Sequence, residues 1–348
     1  MVVQITNMKL LLPSLLCLVS LFGKEKIEII SNNPLDLSYF QSVLGDYEVV
    51  ESTCDRFGPA FKKKNDLFHK TQRRWGIDFP RHIAVDSHKI IWINIPVFFY
   101  RDHFVAKLPK EKMVLFMWEP YIRFRKMYNP KLHHCFSRIY TWDDDLVDNK
   151  TYFKFYYPVL RPMIEDVVPF EEKKLCTLVS GYAFACDKYP KKYPNELYSH
   201  RMKAIEFFER IGEKGFEFYG KDWPMERPSY RGPVSDKIGT IKNYRFSICY
   251  ENCQGVKGYI TEKIFDCFAA GNVPVYWGAS NVTDYIPPDC FIDRRDFATL
   301  NDLYLFLKNM SSPEYEGYLD RIRAYLNSEK AHLFSQEHHE KTLKDAAL

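Results

Sequence analysis

Glu251 and Asn252, a short glycine-bearing loop, and then Thr261-Glu262-Lys263 form the most chemically loaded stretch of the chain. Carboxylates, an amide and an ammonium so close together suit the binding of a polar, charged ligand. The run FSICYENCQGVKGYITEKIFDCFAAGNVPVYWG, from Phe246 to Gly278, reads as strand, loop, helix, strand. A strand over Tyr244 to Tyr250 puts Glu251 and Asn252 at its carboxyl end, where open α/β sheets bind ligands. The loop from Gln254 to Gly258 carries two glycines, which let a ligand approach the backbone. Thr261 opens a helix that Gly271 closes. Its free first-turn N–H groups and its dipole favour an anion. Lys263 is misplaced against that dipole. Either it points into solvent, or an anionic ligand lies between it and the helix end.

Arg201 is a second oddity. Asn195 is read as the cap of a helix from Glu196 to Ile211, ended by Gly212. Its apolar stripe runs Leu197, Ile205, Phe208, and Arg201 falls on that stripe. A guanidinium near the buried face needs a partner, because an unpaired buried charge is very costly. The partner is either a carboxylate, Glu251 or Glu262, or a diphosphate engaged in bidentate fashion. Arg201, Lys263 and one helix end together can hold a nucleotide diphosphate without a metal.

Glu119 ends the apolar run from Met113 to Trp118, and Pro120 turns the chain away. A carboxylate there is either a surface residue or a base that accepts the proton of an attacking hydroxyl. Asp143, Asp144 and Asp145 resemble an acidic metal-binding motif, or they form a strand-end acidic loop. His133, His134 and Cys135 lack a matching second pair for zinc. Cys249 and Cys253 are read as free thiols near the donor, with a disulfide between them as the alternative. Asn149-Lys-Thr151, Asn281-Val-Thr283 and Asn309-Met-Ser311 are glycosylation sequons, which matter only in a secretory compartment.

The elements that must position these residues follow an α/β alternation. Lys26 to Ile30, Tyr47 to Val50, Lys89 to Ile95, Met113 to Trp118 and Arg138 to Trp142 read as strands, with a helix over Leu35 to Leu44 and a basic helical stretch over Lys62 to Arg74. After Pro158, Pro162 and Pro169 a second alternation begins: strands at Leu175 to Ser180, Phe216 to Tyr219, Tyr244 to Tyr250 and Val273 to Trp277. Two Rossmann-like domains facing a cleft are the expected architecture. The tail after Ser311 reads as charged helix, including Tyr315 to Leu326, packing back across the first domain.

Length and composition bound the classes. At 348 residues the chain suits two domains, and 46% hydrophobic with 27% charged residues excludes disordered, collagen-like and multi-span membrane classes. A net charge of +4, from 49 cationic against 45 anionic side chains, does not describe a partner of nucleic acid. Nine cysteines cannot all pair, so no disulfide-stapled scaffold is expected. Aromatics reach 16%, and the Tyr and Trp beyond the core suit a cleft that stacks sugar or base rings. Leu10 to Phe22 has the length of a signal-peptide apolar region and is short for a spanning helix. It reads as a cleaved signal, a membrane anchor or a packed segment, and Met8 is an alternative start. Membrane association or the secretory pathway follows from the first two readings, and a cytoplasmic site from the third.

Tyr250-Glu251-Asn252, then Tyr259-Ile260-Thr261-Glu262-Lys263, followed by Val273-Pro274-Val275 and Gly278, resembles the signature of the α-1,3-fucosyltransferases. The resemblance extends from about Lys112 to Phe297. It implies an α/β fold of two Rossmann-like domains in the GT-B arrangement. It implies inverting transfer of L-fucose from GDP-β-L-fucose to a sugar hydroxyl of a glycan acceptor, α-1,3 to GlcNAc or glucose, with no cofactor. By the same resemblance Glu119 is the general base. Arg201 and Lys263 hold the donor phosphates, Glu262 lies near the fucose, and Asn252 and Tyr259 are donor-side residues. The family's Ser-Asn entry to the Arg201 segment is replaced here by Ser180-Gly181. The expected domains are an N-terminal segment 1–23, an acceptor-side domain 24–165, a donor domain 170–312 and a helical tail 313–348. Two other classes stand beside this one: a non-catalytic sugar-nucleotide or glycan-binding protein, and a metal-dependent glycosyltransferase using Asp143 to Asp145.

Overall fold

The computed structural model describes residues 24–31, 35–53, 87–94, 108–182, 192–223 and 227–348. The N-terminal segment 1–23 and the basic stretch Lys62 to Arg74 lie outside the described residues. The strands are β1 (Lys26–Ser31), β2 (Glu48–Thr53), β3 (Lys89–Ile93), β4 (Met113–Met117), β5 (Arg138–Thr141), β6 (Tyr152–Lys154), β7 (Lys174–Val179), β8 (Phe216–Tyr219), β9 (Tyr244–Tyr250), β10 (Val273–Trp277) and β11 (Ile292–Asp293). The helices are α1 (Leu37–Val43), α2 (Pro130–His133), α3 (Tyr198–Arg210), α4 (Lys237–Ile241), α5 (Glu262–Ala269), α6 (Leu300–Asn309), α7 (Ser312–Leu326), α8 (Glu329–His332) and α9 (Gln336–Ala347).

The expected α/β class with two parallel sheets is observed. One sheet runs β2-β1-β3-β4-β5-β6 and the other β11-β10-β9-β7-β8. Strand β1 pairs in parallel with β2 and β3, and β5 with β6. In the second sheet β9 lies between β7 and β10, all parallel, with β8 outside β7 and β11 outside β10. The described strands of the first sheet end by Lys154 and those of the second begin at Lys174. Among the described residues two compact units are distinguished: one from those within 24–115, with 135–137 and 343–348, and the other from those within 116–134 and 138–342.

Helical residues follow the apolar stripes of the sequence. In α3 the buried set is Tyr198, Arg201, Ala204, Ile205, Phe207 and Phe208, so Arg201 does sit on the buried stripe. The start of α3 corrects one expectation. Its N-cap is Leu197, and the amide of Asn195 does not cap it. Instead the Glu196 carboxylate accepts the Ser199 N–H at 2.9 Å, while Asn195 accepts the Tyr121 hydroxyl and donates to the Gln254 carbonyl at 3.4 Å. In the second sheet's core, Phe246, Ile260, Ile264, Phe268, Val273 and Val275 are buried to 0% exposure, which fixes β9, α5 and β10 as one packed unit. In α9, buried His339 lies edge-on to Phe116 and Trp118, so the last helix packs there. Helix α7 departs from the expectation that the tail packs across the first domain: its Tyr315, Leu319, Ile322 and Tyr325 are buried in the second sheet's core.

Candidate active site

The second sheet reverses direction between β7 and β9. From β7 the chain goes outward to β8 and then returns to the other side of β7 to make β9. Helices on either side of such a switch point splay apart, leaving a crevice at the strands' carboxyl ends. An open pocket of about 310 Å³ lies there, lined by Glu119, Arg123, Val179, Ser180, Gly181, Tyr198, Arg201, Lys237, Asn252, Glu262 and Lys263. The topology therefore brings together five of the six expected site residues; Tyr259 is the exception.

Arg201 is 8% exposed and is met by neutral oxygens. Its guanidinium donates to the carbonyls of Tyr250 and Glu251, both at 2.7 Å, to the Asn252 amide oxygen at 3.1 Å and to the Ser180 hydroxyl at 3.1 Å. The sequence offered it a carboxylate of Glu251 or Glu262. The structure gives it the backbone of Glu251 instead, because the β9 strand end turns its carbonyls inward. Asn252 passes the chain of bonds on, donating to the Tyr259 hydroxyl at 3.1 Å. Tyr259 is buried behind the pocket against Trp142, with ring centroids 4.5 Å apart, and so can act on a ligand only through Asn252.

The conflict at Lys263 also has a protein answer. Its ammonium lies 2.9 Å from the Glu251 carboxylate, 2.8 Å from the Thr261 hydroxyl and 3.4 Å from Glu262. Glu251 is fully buried, and it also accepts the Thr261 N–H at 2.9 Å and the Thr261 hydroxyl at 2.8 Å. The N-terminal end of α5 is thus met by a protein carboxylate. Burial disfavours the charge on Lys263, but Glu251 and Glu262 outweigh it and raise its pKa further. Glu262, half-exposed at the first turn of α5, feels the reverse. Burial pushes it up, yet Lys263 and Lys237 bring it down to about 2.

Lys237 is the member that sequence reasoning missed. It opens the short helix α4, capped by Asp236, and its ammonium pairs with Asp266 of α5 at 2.7 Å. A single Lys in a polar stretch gives no sequence signal of where it points. Arg123 was missed for the same reason; it lies 3.9 Å from the Glu119 carboxylate at i,i+4 spacing. Glu119 itself is partly buried. Desolvation raises its pKa, and Arg123 and Lys263 only partly offset this.

The remaining candidates have other duties. Asp144 accepts from Lys154 at 2.5 Å, from the Tyr285 hydroxyl at 2.7 Å and from the Asn281 amide at 2.9 Å. Asp145 pairs with Lys257 at 2.7 Å, and Asp143 accepts the Asp145 N–H. His133 uses both ring nitrogens, one toward the Tyr152 hydroxyl at 2.7 Å and one toward the Met127 carbonyl at 2.6 Å. Cys249 and Cys253 are free and buried. Gly258 takes φ +76°, and a β-carbon there would sit 2.3 Å from the Trp142 carbonyl, so this glycine serves protein packing where a ligand contact was expected. Of the sequon residues, Asn149 and Asn309 are exposed, whereas Asn281 is tied to Gly258, Asp144 and Asp284. No described helix is long and apolar enough to cross a membrane.

Residues 172–343 match the glycosyltransferase family 10 (fucosyltransferase) C-terminal family model. The match covers Arg201, Asn252, Tyr259, Glu262 and Lys263 and stops short of Glu119. The chain is 33% identical over 89 residues to alpha-(1,3)-fucosyltransferase FucT of Helicobacter pylori, 26% of this chain and 18% of that protein. It is 39% identical over 70 residues to an alpha-(1,4)-fucosyltransferase of Arabidopsis thaliana, 20% of this chain and 17% of that one. It is 32% identical over 183 residues to 4-galactosyl-N-acetylglucosaminide 3-alpha-L-fucosyltransferase 9 of Mus musculus, 51% of this chain and 44% of that one. The matches thus span less than half the length of these relatives. An alpha1,3-fucosyltransferase solved with GDP-fucose superposes with a TM-score of 0.53 at 16% identity, covering 94% of this chain and 91% of that one, a likeness of fold. Residues 172–343, which build the second sheet and its pocket apart from Glu119 and Arg123, belong to glycosyltransferase family 10, the fucosyltransferases.

Proposed function

We propose that the protein is an inverting fucosyltransferase that moves L-fucose from GDP-β-L-fucose to a sugar hydroxyl, with α-1,3 linkage to GlcNAc or glucose of a glycan. The observation that carries this reading is the composition of one pocket. Arg201, Lys237 and Lys263 line it together with Glu119 and Glu262. Cations there suit a diphosphate, and a partly buried carboxylate suits a base. The relatives' names support fucose transfer, and the α-1,3 assignment rests on the names of two of the three relatives described.

In this reading the acceptor hydroxyl gives its proton to the Glu119 carboxylate as its oxygen attacks C1 of fucose. The bond from C1 to the β-phosphate oxygen breaks, and its electron pair leaves with GDP. Attack opposite the leaving group inverts C1. The transition state has oxocarbenium character, as in glycoside hydrolysis. Negative charge grows on the diphosphate, where Arg201, Lys263 and Lys237 stabilise it. Glu262, kept ionised by its lysine neighbours, faces the positive sugar ring. Asn252 holds the donor and is itself oriented by Arg201 and Tyr259. No metal is required, since the cations supply the charge and the Asp144 oxygens already accept from Lys154, Tyr285 and Asn281. The apolar run Leu10 to Phe22 supports membrane association or the secretory pathway.

The test is GDP-fucose binding and fucose transfer by the full chain in EDTA. Binding with acceptor-dependent turnover supports the enzyme. Binding with no turnover on any glycan favours a sugar-nucleotide-binding protein. Turnover abolished by EDTA and restored by manganese favours the metal-dependent reading.

A further inference from the structure

The two lysines of the pocket and Arg201 are held in different ways. Arg201 meets carbonyl and amide oxygens, which carry no net charge. Lys263 and Lys237 each meet a buried carboxylate: Glu251, 0% exposed, at 2.9 Å, and Asp266, 7% exposed, at 2.7 Å. The fold is built around the first of these. A β-carbon at Gly278 would sit 2.5 Å from the Tyr276 hydroxyl and 2.6 Å from Glu251 Cγ, so the residue after β10 leaves room for both side chains. A buried ion pair is weak evidence for stability, since well-packed apolar residues serve as well or better. Two such pairs behind one anion pocket need another reason.

Resting on the donor reading above, we propose that Glu251 and Asp266 are internal counter-charges that limit the grip of Lys263 and Lys237 on a diphosphate and so set how readily GDP leaves. GDP carries more negative charge than its fucosyl ester, because the terminal phosphate is freed. A pocket presenting all its cations unopposed would hold that product more tightly than the substrate. With counter-charges in place, a diphosphate shares each lysine with a carboxylate behind it. Glu251 also accepts the Thr261 N–H, which removes part of the helix-end attraction for the same anion. The two carboxylates are positioning residues that act through the lysines.

The experiment measures GDP and inorganic pyrophosphate affinity by calorimetry for wild type, Glu251→Gln and Asp266→Asn, with kcat and KM for GDP-fucose. Both substitutions keep an oxygen acceptor and remove the charge. The expected result is GDP binding tighter by about tenfold in each variant, with kcat and KM falling together as product release slows. Unchanged or weaker GDP binding in a folded variant overturns the counter-charge role and leaves the donor reading standing. Should Glu251→Gln not fold, Asp266→Asn decides by the same criterion. Wild type that binds neither GDP nor pyrophosphate removes both the donor reading and the counter-charge role.

Discussion

Lys263 carries its ammonium back across the first turn of its own helix to lie 2.9 Å from the Glu251 carboxylate at the end of the preceding strand. That pair joins β9 to α5, and the Thr261 N–H closes the junction by donating to the same carboxylate. The segment is thus a strand end, a buried acid and a helix start locked together, with Arg201 gripping the two carbonyls just before it. The pocket inherits its rigidity from this junction.

Lys263→Ala should therefore do two things. Donor affinity should drop at least about tenfold, as one charge-assisted contact to phosphate is lost. Stability should fall by about 3 kcal/mol, because Glu251 is left buried without its cation. Arg201→Lys should not rescue Arg201, since an ammonium cannot span the carbonyls of Tyr250 and Glu251 and the Ser180 hydroxyl at once. Calorimetric titration with GDP-fucose and thermal unfolding separate the two effects. Equal donor affinity in wild type and Lys263→Ala would sink the phosphate assignment.

The pH dependence of transfer follows from Glu119. Desolvation raises its pKa, and Arg123, next in size, works the other way. The base form is lost as pH falls through that raised value. The acidic limb of the rate profile should thus lie above the ordinary carboxylate range. Arg123→Ala removes the lowering influence and should move the limb to still higher pH. A limb that stays in place, or moves to lower pH, contradicts this account of Glu119.

Stability in acid should report on Glu217. Burial opposes its charge, but hydrogen bonds from Lys174, Tyr244 and Arg231 prevail and hold its pKa down to about 2. A depressed folded value means the contribution is present above the unfolded range, near pH 4.3, and is lost as pH falls toward about 2. Wild type should lose stability between roughly pH 5 and 2 more steeply than Glu217→Gln. Urea midpoints across that window measure it, and parallel curves would contradict the pairing.

Much of the donor half was legible in the sequence because its signals are local. The strand over Tyr244 to Tyr250 matched, as did the helix between Thr261 and Gly271, where Glu262–Ala269 is helical. Arg201 stood out because a cation on an apolar stripe contradicts its own helix pattern. What the sequence could not give was the partner of each charge. Glu251 looked like a rim residue and is the buried hub. Asn195 looked like a cap, but the turn that follows it hands that duty to Glu196. Lys237 and Arg123 reach the pocket only through tertiary placement, which leaves no local pattern. Short β6 and β11, of three and two residues, fall below what alternation can reveal.

Gly258→Ala should destabilise the protein strongly, by about 2 kcal/mol or more. The residue needs positive φ, and the added carbon would meet the Trp142 carbonyl at 2.3 Å. The Lys154, Asp144 and Tyr285 cluster beside it should loosen with it. Thermal unfolding checks this, and a variant as stable as wild type would show that the loop can move away.

The most direct test of the central claim is acceptor-dependent GDP release from GDP-fucose in EDTA, over a panel of N-acetyllactosamine-type glycans, for wild type and Glu119→Gln. The account predicts release by wild type with at least one acceptor. It predicts a loss of about 10²–10⁴-fold in Glu119→Gln, with GDP-fucose affinity retained. Undiminished release by Glu119→Gln, or GDP-fucose binding by wild type without release to any acceptor, would contradict it.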